Sequence, residues 1–171
     1  MHLFDSHPFR GAFVANTLER LAWLIVDQGE TVLRDAGLAF PSRAASTVLL
    51  LGESKRLSAA DLAKALGQPH QLVTQRVDLL IELGIVSRAA DDDDARRRIL
   101  VLTPKGKRQF EKLKAHLVLA EAAFAALFAE IGYDLSGAAL SAIAALERSP
   151  LQERVRTLEM TDPVLKEKTS R

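Results

Sequence analysis

The chain has 171 residues, 48% of them apolar, which suits one domain with a real core, and it has no cysteine, which excludes disulfides, thiolate metal sites and thiol redox sensing. No apolar run approaches the roughly 18 residues that a membrane span needs, and residues 1–13 lack the pattern of a secretion signal, so a cytoplasmic protein with no membrane partner is expected. The net charge of +1 is unevenly spread: residues 42–108 hold 12 Lys and Arg against 8 Asp and Glu, the rest 11 against 14, so a polyanionic partner would meet the middle of the chain.

Val14, Leu18, Leu21 and Ile25 recur at spacings of four and three, which predicts a helix over residues 10–35, ended by Gly37. Pro41 is placed to begin a shorter helix whose apolar face lies in residues 44–53. Within residues 57–88, Ser58 and Asp61 resemble a capping box, and Leu62 and Leu66 mark a short helix stopped by Gly67. Pro69 suits the first position of a second helix, with Leu72, Val73, Val77, Leu80 and Leu83 as its apolar face and Gly84 as its end. Two helices joined in this way make a helix-turn-helix. Residues 85–88 and 98–102 read as short strands, and the run DDDDARRR becomes the tip of a hairpin.

Thr103 caps a long helix that begins at Pro104. Its positions Phe110, Leu113, Leu117, Ala120, Phe124, Leu127 and Ile131 keep the spacing of a coiled-coil seam, and Val118, Leu119 and Phe128 make other faces apolar too. Such a helix must be enclosed by others, and a second copy of the chain is the simplest cover. A further helix over residues 136–148 precedes Pro150 and a charged tail. The expected architecture is mainly α with a small β-hairpin wing: a dimerisation helix (10–35), a winged helix-turn-helix domain (41–104), C-terminal dimerisation helices (105–148) and a charged extension (149–171).

A helix-turn-helix alone occurs in many helical proteins. The hairpin that follows it, with Arg96, Arg97 and Arg98 at the tip, selects the winged form. On the second helix His70, Gln71, Thr74, Gln75 and Arg76 are candidates for DNA contact, since Gln pairs with adenine and Arg with guanine; the plainer alternative is a polar solvent face. The four histidines show no metal-ligand spacing, and Asp91 to Asp94 lack the glycine of a calcium loop. No phosphate-cradling loop, nucleophile elbow or acid/base pair is recognisable, so neither an enzyme nor a cofactor is expected. The main rival to DNA binding is a protein–protein module whose acidic wing tip faces a basic partner.

Residues 57–106 resemble the DNA-binding domain of the MarR family of bacterial transcriptional regulators. The resemblance rests on Leu62-Ala63, Leu66-Gly67, Val73-Thr74, Val77-Asp78, Leu80, Gly84-Ile85-Val86, Arg88, Asp94-Ala95-Arg96, Leu102-Thr103 and Gly106. It implies a homodimer held by the N-terminal helix, including Leu18 and Leu21, and by two C-terminal helices. It also implies, most often, repression, with one recognition helix per subunit in successive major grooves of a pseudo-palindromic operator. In the wing it implies that Asp94 orients Arg96 toward DNA, while Asp91 to Asp93 gain no role. A small aromatic or amphipathic effector is implied between the dimerisation helices and the DNA-binding domain, where Trp23 is a candidate lining residue. Gln75 stands where many members carry arginine, so base preference does not transfer.

Overall fold

The computed structural model describes residues 6–54, 56–91 and 98–162. Seven α-helices and one two-stranded antiparallel sheet are found among them, which bears out the mainly helical, winged architecture. The chain divides into two compact units between Leu119 and Ala120.

In the first unit, α1 (Val14–Asp35) follows a 3-10 turn, Arg10–Phe13. It ends where Gly37 takes a φ of 71° and the Leu38 amide donates to the Leu33 carbonyl, with both leucines buried. A left-handed glycine with this bond and apolar contact is the usual way to close a helix. Pro41 is extended and precedes a 3-10 turn, Ser42–Ala44, before α2 (Ala45–Glu53), so it does not itself open the helix. Glu30 of α1 accepts from both the amide and the hydroxyl of Ser42, each at 2.8 Å.

α3 (Ala59–Leu66) carries the expected capping box: Asp61 accepts from the Ser58 amide at 2.8 Å, and the Ser58 hydroxyl accepts from the Asp61 amide at 3.2 Å. α4 (His70–Glu82) starts one residue after Pro69, which is extended rather than helical. β1 (Val86–Ala90) runs two residues further than expected and pairs with β2 (Arg98–Leu102) from Val86 opposite Leu102 to Ala90 opposite Arg98. Leu57, between α2 and α3, adds a bridge to Leu100.

The core of this unit brings together Leu33, Leu38, Phe40, Val48, Leu51, Leu62, Val73, Val77, Leu80, Ile85, Leu100, Phe110 and Leu113. The last two belong to α5 (Pro104–Ile131). Thr103 caps α5, accepting from the Gly106 amide at 3.0 Å and donating to the Gly84 carbonyl at 2.7 Å. Gly106 is obligatory here, because a Cβ would lie 2.1 Å from the Ile85 carbonyl oxygen.

The second unit holds the end of α5, then α6 (Leu135–Arg148), capped by Asp134, and α7 (Leu151–Thr161). Within the residues expected as a charged extension (149–171), α7 adds a helix that the sequence reading did not give. Leu151, Val155 and Leu158 form an apolar stripe, and Arg154 donates to the Ala145 and Ser149 carbonyls at the end of α6.

Candidate nucleic-acid interface

Val73, Val77 and Leu80 seat α4 on the core, and at about 100° per residue this turns Gln71 and Gln75 directly outward. Both are exposed, as is His70. Thr74 is half-buried on one flank, and its hydroxyl donates to the His70 carbonyl at 3.0 Å. Leu72, expected in the apolar face, is instead 39% exposed, because it lies about 100° from Val73 on the side away from the core.

Arg76 departs from the expected base-reading row. It lies on the other flank of α4, half-buried, and donates to the Gln68 side chain across the turn between α3 and α4. Partial burial, and after it the charge of Arg43, lower the Arg76 pKa from its ordinary value. Arg43 is exposed on the 3-10 turn that packs against α4. Sequence reasoning did not single it out, since nothing local marks it.

At the hairpin, Arg98 is exposed at the start of β2, whereas Asp94, Arg96 and Arg97 lie outside the described residues. Asp91, to which no role was assigned, is buried and forms an ion pair with Arg56 at 2.8 Å. Arg88 of β1 is held by Asp78 of α4 at 2.5 Å, and Lys105 donates to the Leu83 carbonyl at the end of α4. These contacts fix the hairpin and α4 in one frame.

The expected dimerisation residues separate into two groups. Phe110 and Leu113 are buried in the chain's own core and Leu117 packs against it, so these three need no partner for cover, a correction to the single continuous seam. Leu18, Phe124 and Ile131 are exposed, and Leu21 and Leu127 are half-buried. Trp23 is 61% exposed in a depression lined by Asn16, Glu19, Arg20 and Leu24, all from α1, so a single helix walls it. A second depression, about 540 Å³, lies between α2, β2 and α5 and is lined by Leu51, Gly52, Val101, Leu102, Lys107, Phe110 and Glu111.

A recognition helix with a polar outer face, a helix packed behind it and an antiparallel hairpin define a winged helix-turn-helix domain. Residues 37–97 match the model of the MarR family, and the fold of the described part of this segment, together with β2, is that of a winged helix-turn-helix. No curated protein matches the sequence. Among solved structures, the chain is similar to MepR of S. aureus in its DNA complex, with 18% identity, a TM-score of 0.64, and coverage of 77% of this chain and 96% of that one. It is also similar to the PcaV transcriptional regulator of Streptomyces coelicolor in complex with its natural ligand (17%, TM-score 0.60, 87% and 97% covered). A MarR family transcriptional regulator from Silicibacter pomeroyi gives 20% identity, a TM-score of 0.57, and coverage of 89% and 99%. At these identities the likeness is one of fold.

Proposed function

We propose that this protein is a homodimeric, sequence-specific DNA-binding transcriptional regulator, a repressor released by a small aromatic or amphipathic effector, and not an enzyme. The observation that carries the reading is the outward placement of Gln71 and Gln75 on α4, in one frame with a hairpin that re-enters the sheet at Arg98. A helix of this polarity fits a major groove, and an arginine-rich wing fits the adjoining backbone or minor groove. The similarity to MepR, whose structure is a DNA complex, supports the same reading.

The homodimer is supported by the apolar surface. None of residues 120–162 is buried, although Phe124, Ile131, Leu140, Ile143 and Leu146 are among them, and α1 exposes Leu18, Trp23 and Leu24. A second copy covering these faces would set two recognition helices on one duplex, which calls for a pseudo-palindromic operator. For the effector, the depression between α2, β2 and α5 sets Leu51, Val101, Leu102 and Phe110 beside Lys107 and Glu111, a lining suited to a small amphipathic molecule; PcaV was solved with its natural ligand.

Selection of bound duplexes from a random library, with sedimentation of the protein alone, tests the reading. Enrichment of one inverted repeat and a dimer at micromolar concentration are expected. Retention of no duplex would favour the protein–protein module instead.

A further inference from the structure

We propose that Arg43 and Arg76, braced by Gln68, form a clamp for one phosphate of the DNA backbone where the turn leading into α2 meets α4. The proposal rests on the duplex-binding reading and assigns Arg76 to the backbone rather than to a base. Its ground is a charge arrangement that the described residues do not balance.

Among the described residues neither arginine makes an ion pair, although the 3-10 turn carrying Arg43 packs on α4. The only hydrogen-bond partner of Arg76 there is the carbonyl oxygen of the neutral Gln68 side chain. Gln68 holds the guanidinium back along α4, uses part of its donor set and leaves its charge uncompensated. Each of the other cations fixed near α4 has a different anchor: Arg88 is paired with Asp78, and Lys105 bonds the Leu83 carbonyl.

Two guanidiniums carried on packed elements, one of them half-buried, make a local positive charge that favours an anion between them, and the lowered Arg76 pKa accords with this. A phosphodiester oxygen is that anion on a duplex. The planar fork of arginine suits it, and a side chain already held by Gln68 loses little freedom on binding. Gln75 sits about 100° further round the helix, so the clamp would fix the depth and tilt of α4 while Gln71 and Gln75 meet the bases.

The experiment measures affinity for the selected operator and for a random duplex across a series of salt concentrations, for the parent and the Arg43→Gln, Arg76→Gln, Gln68→Leu and Arg43→Gln/Arg76→Gln variants. Thermal melting confirms that each is folded. Either arginine variant should weaken operator and random duplex by the same factor, about three- to tenfold, and the double variant should lower the slope of log affinity against log salt by about 2, the loss of one phosphate contact in each subunit of the dimer. Gln68→Leu, which changes no charge, should weaken both duplexes to a smaller degree. An unchanged slope in the double variant, or an Arg76→Gln loss confined to the operator, overturns the clamp while leaving duplex binding intact. A parent that binds neither duplex overturns the functional reading and the clamp with it.

Discussion

The carboxylate of Asp91 lies 2.8 Å from the guanidinium of Arg56, with the Asp91 side chain 5% exposed and that of Arg56 41%. Together with the Leu57–Leu100 bridge, this pair fastens the connection between α2 and α3 to both strands of the hairpin. Arg56→Ala should destabilise the fold by about 1–3 kcal/mol, because it takes a charged partner from a buried carboxylate. Asp91→Asn should cost less, since Arg56 can turn to water. The double variant should cost less than the sum of the two, a coupling that urea denaturation of all four proteins would measure.

Asp94 and Arg96 lie outside the described residues, and the expectation for them comes from the resemblance. If Asp94 orients Arg96, Asp94→Asn should weaken operator binding, against the simple electrostatic expectation, and should have little effect once Arg96 is alanine. Asp92→Asn should leave affinity unchanged or raise it. Tighter binding by Asp94→Asn at one fixed salt concentration would rule out the orienting role.

Gly52 and Phe110 share one space. A Cβ on residue 52 would fall 2.2 Å from the phenyl ring, so Gly52→Ala should cost about 1–3 kcal/mol through overpacking. Adding Phe110→Leu should return part of that loss, and denaturation midpoints of the single and double variants would reveal it.

The Thr47 hydroxyl is buried with no hydrogen-bond partner among the described residues. Thr47→Val keeps the shape and removes the unmet polar group, so it should raise stability by about 1 kcal/mol. A lower melting temperature in this variant would mean that the hydroxyl is satisfied in solution.

Leu18 is 55% exposed on α1, so an aspartate there meets water within a single chain. If a second copy covers this face, Leu18→Asp should leave a folded protein that sediments as a monomer and binds the operator at least tenfold more weakly. Leu117→Asp would be a poorer probe, because Leu117 packs on the chain's own core.

Local signals made much of the fold legible. Ser58 with Asp61, the glycines at 37, 67 and 84, and Thr103 before Pro104 each act within a few residues, and the structure uses each as a cap or a stop. The failures concern what an apolar or charged position meets across the chain. The seam from Phe110 to Ile131 reports a stripe but not its cover, and the cover of Phe110 and Leu113 is the chain's own core. The spacing of Arg76 put it on a polar face, yet its hydrogen bond to Gln68 depends on how α3 turns into α4. Asp91 was hidden in a run of identical residues, and its burial comes from the packing of the fold rather than from any local signal. α7 was hidden by its charges, since Leu151, Val155 and Leu158 are too few to stand out in a polar stretch.

The corner where α4 meets β1 clasps the first turn of α5 through Thr103, Lys105 and the bare backbone of Gly106. These contacts tie the end of the helix that faces outward to the first turn of the helix that leads away. A signal arriving along α5 would reach α4 and β1 through this joined corner. If the protein is the effector-released dimer proposed above, operator release is a change of spacing between two unaltered reading heads, and freezing that spacing with a crosslink should silence the effector while leaving each head intact.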